Sequence, residues 1–178
     1  LDVFVEGSGW GAGTWGAGGF GSVSTIDPVN QLRLWSQDNF GDDLISNIRS
    51  GGIFYWDESE GVTERAIPFT SLTNASAPPT AALQIMVSDI DRHIICFGAN
   101  AIGSTSLDPL FVRWSDQESS IDWTPTSTNT AGGTRLSSGS TIIGALKTRQ
   151  EILIWTDAGV HSMQYSGAPF IFSFAEIM

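Results

Sequence analysis

The sequence predicts an all-β protein built from short antiparallel strands, and three observations carry that expectation. Only 15% of the residues are charged and 41% are hydrophobic, where ordinary globular chains carry about 25% charged residues. Twenty Gly accompany 7 Trp, 10 Phe and 2 Tyr, a mixture that suits pleated surfaces and tight turns better than packed helices. From residue 31 onward, runs of Ile, Val, Phe, Trp and Thr alternate with Gly, Asp, Asn, Ser and Pro clusters at roughly 8 to 15 residue intervals. No segment sustains the apolar period of an amphipathic helix.

Taken in order, residues 1–30 comprise a short strand-like start and the Gly-rich run 7–22, in which Trp10, Trp15 and Phe20 stand five apart among glycines. That spacing fits neither a helix nor a strand and predicts an irregular segment. The next residues, Val23-Ser24-Thr25-Ile26-Asp27-Pro28, lack the Lys and the helix start of a phosphate-binding loop. Residues 31–178 then form one β domain. Strands are expected at 31–36, 43–48, 52–57, 64–69, 83–88, 93–98, 110–115, 141–147, 151–156, 160–165 and 170–174, each a β-branched or aromatic run bounded by turn formers. The stretch 70–82, with Asn74, Ser76, Pro78 and Pro79, is the linker candidate.

Two hairpins resemble one another. Residues 83–87 lead through Asp89-Ile90-Asp91-Arg92 into 93–98, and residues 141–146 lead through Thr148-Arg149-Gln150 into 151–156. A weaker third unit joins 44–46 to 52–57. With Ile53, Ile94 and Ile152 taken as equivalent, the intervals are 41 and 58 residues, near the period of a propeller blade of about 40 to 50 residues. The second strand of each unit is apolar on both faces, as expected for a strand covered on both sides. The expectation is therefore β-propeller-type blades, about three of them. Three blades do not close a ring, the chain starts without Met, and it ends on the strand-like Phe170-Ile171-Phe172-Ser173-Phe174. An incomplete segment of a larger chain is expected.

Charge and composition narrow the function. Eight Lys and Arg against 19 Asp and Glu give a net charge of −11, which disfavours tight binding of nucleic acid or of an anionic lipid surface. No apolar run approaches the roughly 20 residues of a membrane-spanning helix, so no membrane insertion is expected from this segment. Cys96 is alone in an apolar run, where a buried and inert thiol is expected and neither a disulfide nor a CxxC pair can form. His93 and His161 stand apart, each inside an expected strand and without a second ligand at metal spacing, so both read as structural. The chain has no GxSxG nucleophile elbow.

Two acidic clusters remain: Asp38, Asp42 and Asp43, and Asp116, Glu118 and Asp122. Each follows a Trp-Ser pair, Trp35-Ser36 and Trp114-Ser115, which predicts related turns capped by carboxylates. The first cluster offers oxygens for calcium but not at EF-hand spacing. The stretch 116–123 is similar to the aspartate-box turn of sialidases, with Ser120 where that box has Gly. On this reading Trp35, Trp56, Trp114, Trp123 and Trp155 pack blades together, so that Trp155→Ala costs roughly 3 to 5 kcal/mol, and Asp38, Asp116 and Asp122 cap turns. No catalytic residue, metal ligand or cofactor is expected.

The chain resembles the tail tubular protein B, or tail nozzle, family of short-tailed bacteriophages. One segment carrying the resemblance is Trp35-Ser36-Gln37-Asp38-Asn39-Phe40-Gly41-Asp42-Asp43-Leu44-Ile45-Ser46-Asn47, followed by Arg49-Ser50-Gly51-Gly52 and Ile53-Phe54-Tyr55-Trp56-Asp57. The other runs from Arg113-Trp114-Ser115-Asp116-Gln117-Glu118 through Asp122-Trp123-Thr124-Pro125-Thr126 to Thr130-Ala131-Gly132-Gly133, Arg135-Leu136, 151–157 and Ser162-Met163-Gln164-Tyr165. The resemblance implies a virion structural protein that is not an enzyme. Such proteins contain a propeller and assemble as a homohexameric ring with adaptor and fibre proteins, and viral DNA leaves through the channel without being specifically bound. It implies assembly in the bacterial host cytoplasm and residence in the phage tail. The acidic balance agrees, since a channel that must release DNA is better lined with carboxylates than with Lys. The alternative expectation is a carbohydrate-binding or glycan-degrading host-recognition module, with exposed Trp as stacking platforms and the acidic clusters as acid and base.

Overall fold

The structure, a computed structural model, describes residues 34–177; the expectations for residues 1–30 lie outside the described residues. Trp35–Met178 form one compact unit. It is all-β, with twelve strands among the described residues: β1 Trp35–Phe40, β2 Asp43–Ile48, β3 Ile53–Trp56, β4 Ile67–Pro68, β5 Gln84–Val87, β6 Ile94–Phe97, β7 Phe111–Trp114, β8 Gly132–Arg135, β9 Ile142–Lys147, β10 Ile152–Thr156, β11 Val160–Tyr165 and β12 Phe172–Glu176. They form three antiparallel four-stranded sheets, each a meander of consecutive strands: β1–β4 (sheet 1), β5–β8 (sheet 2) and β9–β12 (sheet 3). The β1–β2 hairpin turns tightly, with Phe40 opposite Asp43 and Gly41 at φ 71°. A two-residue hairpin loop needs this left-handed conformation, and glycine adopts it without strain.

Sheet 2 lies between the other two. Phe40, Ile45 and Ile53 of sheet 1 pack with Ile85, Val87, Ile94 and Cys96 of sheet 2, and Phe69 and Trp123 close this core. The opposite face of sheet 2, with Met86, Ile95, Phe97, Val112 and Trp114, packs on Ile142, Ile152, Ile154, Met163 and Phe172 of sheet 3. Each such side chain contributes about 1.5–3 kcal/mol when fully buried. All four residues of β6 are therefore buried, as its two-sided apolar sequence predicts. β3 and β10 have similar sequences but are covered on one face only, because their sheets end the stack.

Several expectations are corrected. The first described strand runs to Phe40 instead of ending at residue 36, because Gln37 and Asn39 face outward while Ser36 and Asp38 reach sheet 2. β8 has no counterpart among the expected strands. Its Gly132-Gly133 pair reads as a turn, yet a Cβ at Gly132 would lie 2.6 Å from the Trp114 ring and one at Gly133 2.9 Å from Phe111. Aromatic rings of β7 occupy the space that side chains would take, so the strand requires glycine there. The repeat register also shifts: Ile53 lies in a third strand, whereas Ile94 and Ile152 lie in second strands. The second-strand counterpart in sheet 1 is β2, whose polar Asn47 obscures the similarity. Residues 70–82 connect sheets 1 and 2 and are anchored, with the Ser76 N–H donating to Ile121 O at 2.8 Å.

Candidate functional site

The sheets converge on their first strands, where most of the polar side chains with defined partners across sheets meet. β5 is an edge strand, so alternate N–H groups on it lack a ladder partner. Sheet 1 supplies partners from side chains: the Ile85 N–H donates to Ser36 Oγ at 3.0 Å and the Val87 N–H to Asp38 Oδ2 at 2.8 Å. Sheet 2 does the same for β9, because Gln84 donates to Ala145 O and accepts from Ala145 N, both at 2.8 Å. Lys147 then closes the group. Its Nζ lies 2.8 Å from Asp38 of sheet 1 and 2.8 Å from Asp89 at the end of β5. Burial pushes the ammonium towards neutrality, but hydrogen bonds to Asp38 and Asp89 outweigh it and raise the Lys147 pKa. At the other end of these strands Arg49 donates to Ile142 O at 3.3 Å, again joining sheet 1 to sheet 3.

Two clefts flank this cluster. One of about 460 Å³ runs beside Trp35, Asp38, Gln84, Ala145 and Lys147. The other, about 150 Å³, lies between the β5–β6 and β9–β10 turns beside Asp89, Asp91, Lys147, Arg149, Tyr165 and Phe172. Here one ammonium is shared between two carboxylates, an ion-pair cluster that differs from the acid and base pair flanking the scissile bond in glycoside hydrolysis. Asp38→Ala removes the acceptor of Val87 N–H and one partner of Lys147. A loss of about 1–3 kcal/mol is expected, read from the urea midpoint, with Asp38→Asn recovering part of it. An unchanged midpoint would remove Asp38 from this role.

Neither a protein-family model nor a curated protein nor a solved structure matches this chain. Asp38 is not a turn cap as expected; although Oδ1 accepts from Asn39 N–H, it sits within β1 and its second oxygen spans two sheets. Asp116 and Asp122 do organise one turn. Asp116 Oδ1 accepts from Thr130 N at 2.7 Å and Thr130 Oγ1 at 2.6 Å, and Asp122 Oδ2 accepts from Ser119 Oγ at 2.9 Å. Burial raises the Asp116 pKa, but the hydrogen bonds from Thr130 and Gln117 prevail and hold it low.

The tryptophans divide into two groups. Trp123 is wholly buried and Trp114 nearly so, with their indole N–H groups donating to Ser120 O and Thr130 O at 2.9 Å. Trp56 is half-buried. Trp35 is 52% exposed and Trp155 37% exposed, contrary to their expected place in blade cores, because they lie on the outward faces of the two end sheets. Asp38, Asp42 and Asp43 do not converge on a cation: Asp43 accepts from Tyr55 OH and, at 3.0 Å, from Glu58 N–H. Among the described residues no three His, Cys, Asp or Glu side chains gather at metal-binding distance. His93 donates from Nδ1 to Ser115 O at 2.8 Å, and burial pulls its pKa down. His161 pairs with Ser138. Burial pushes the Cys96 thiol up to about 12, which makes it inert.

Arg113 is the residue that sequence reasoning missed. Only 1% exposed, it donates to Ala77 O at 2.7 Å, Asn100 O at 3.2 Å and Trp123 O at 3.4 Å. Its one sequence signal is a single cation inside the apolar run 110–114.

Proposed function

We propose that this chain is a structural module of a short-tailed bacteriophage tail, of the nozzle or tubular type. Its sheets act as propeller-type blades around an axis, in a homohexameric ring that contacts adaptor and fibre proteins and passes viral DNA without binding it specifically. The observation that carries the reading is the convergence of β1, β5 and β9. Sheets 1 and 3 both pack on sheet 2, yet they still touch each other through Asp38–Lys147 and Arg49–Ile142. Sheets that fan out from a common axis meet in this way at their first strands, whereas flat stacked sheets do not. The net charge of −11 supports a conduit that DNA leaves easily. Its role is mechanical, without catalysis.

The carbohydrate reading has less support. Trp35 and Trp155 face outward from opposite ends of the stack, so they do not line one groove, and Asp38 is committed to Lys147. Cryo-electron microscopy of virions or of the purified protein tests the proposal. A six-fold ring with an open axial channel is the expected result. Isolated monomers with a Trp-lined concave groove that bind glycans would overturn it in favour of the carbohydrate module.

A further inference from the structure

The smaller of the two clefts contains a buried charge without a partner. Apolar Ile152 and Met163 and the rings of Tyr165 and Phe172 line this space of about 150 Å³. The two rings meet edge to face at 5.7 Å. His93 packs on both, 5.3 Å from Phe172 and 6.2 Å from Tyr165, and its Nε2 is a buried acceptor without a donor. Asp91 also lines the cleft and is only 7% exposed. Its N–H donates to Ser88 Oγ at 3.4 Å, but among the described residues its carboxylate accepts no hydrogen bond and joins no ion pair. The nearest cations in sequence and space are committed elsewhere. Arg92, at φ 50°, lies over the Phe40 ring and 3.8 Å from Glu118, and Lys147 is held between Asp38 and Asp89. Burial accordingly raises the Asp91 pKa.

A buried charge left unpaired costs stability, and one that lines a cleft calls for a ligand of opposite charge. We infer that this cleft binds a primary ammonium group on a short aliphatic chain, with Asp91 as its counter-ion, the Tyr165 and Phe172 rings beside the cationic head, and Ile152 and Met163 against the chain. An ammonium offers three N–H donors to a carboxylate that has none, and aromatic faces attract such a cation. At about 150 Å³ the cleft is smaller than the roughly 300 to 1,000 Å³ of pockets for drug-sized ligands, which selects a single short chain over a sugar or a nucleotide. Among the described residues no three His, Cys, Asp or Glu side chains gather to hold a metal ion, so an organic cation fits the lining better. Arg149 stands exposed at the rim, where its like charge opposes the ligand. Two sources carry this chemistry, a free aliphatic amine and the lysine side chain of a partner. The inference does not rest on the tail reading, because ring symmetry neither requires nor forbids an occupied cleft.

Isothermal titration calorimetry of the full chain with n-butylammonium chloride tests it, with 1-butanol as the uncharged control at the same ionic strength. Saturable binding of the amine and none of the alcohol is expected. Asp91→Asn should weaken binding at least about tenfold while leaving the urea midpoint unchanged or higher, because the amide removes an unpaired charge and breaks no hydrogen bond. Arg149→Ala, at an exposed position, should tighten binding about twofold. Nα-acetyl-lysine N-methylamide separates the sources: binding of n-butylammonium alone assigns free amines, and binding of the lysine derivative extends the site to lysine side chains. The inference is overturned if neither amine saturates, if 1-butanol binds equally well, or if Asp91→Asn leaves the affinity unchanged. A lowered urea midpoint in Asp91→Asn would also overturn it, since the carboxylate would then have a structural partner. Six-fold rings that bind no amine would keep the tail reading and remove this site, and amine binding by isolated monomers would do the reverse.

Discussion

Trp123→Ala is expected to destabilise the chain by about 3–5 kcal/mol. The ring is wholly buried, sits 5.9 Å from the Phe69 ring, and closes the core between sheets 1 and 2 from the connecting loops. Truncation therefore opens a cavity lined by residues that are anchored elsewhere and cannot collapse into it. It also frees Ser120 O, the acceptor of the indole N–H. Urea denaturation measures the loss, and Trp155→Ala is the internal control. The sequence places both tryptophans in blade packing and expects about 3 to 5 kcal/mol from Trp155→Ala. With Trp155 more than a third exposed on an outer face, its loss in the monomer is expected at about 1 kcal/mol. Equal losses would contradict the placement of both rings.

Arg113→Met is expected to cost about 3 kcal/mol. An apolar residue of similar length can replace a buried ion pair without loss when both partners go, but the partners of Arg113 are main-chain carbonyls of Ala77, Asn100 and Trp123 and they remain. They belong to three different segments, so the guanidinium fastens the loops that surround sheet 2. Burial pulls the Arg113 pKa down, and relief of that desolvation offsets part of the loss. Arg113→Lys is expected to recover little, because one ammonium cannot span three carbonyls that a planar fork reaches. A variant with an unchanged urea midpoint would show that the loops hold together without it. Arg113 lies against Trp123, with the guanidinium 5.9 Å from the ring. The double variant should therefore lose less than the sum of the two single losses.

Much of the architecture is legible in the chain. Strand-forming runs separated by turn formers mark most of the strands, and the β5–β6 and β9–β10 hairpins can be matched from their apolar runs alone. These are local properties, set by side-chain shape and by the two-residue period of a strand. The functional cluster is legible only in part. Asp38 stands out as an acid beside Trp35 and Ser36, but nothing nearby in sequence indicates that its partners are Val87 N–H and Lys147, each supplied by another sheet.

Composition and period suffice for the all-β class, for the paired hairpins, and for the burial of Cys96 and both histidines, because that information is carried along one dimension. Which apolar faces are covered, why β8 needs its glycines, and how Asp38, Lys147, Gln84 and Arg113 tie the sheets and loops together emerge only once the chain is folded. The reason is physical: these outcomes depend on which residues far apart in the chain come within hydrogen-bonding or van der Waals distance. Ile94 and Ile152 read alike as sequence, yet β6 is covered on both faces and β10 on one, because only sheet 2 has a neighbour on each side.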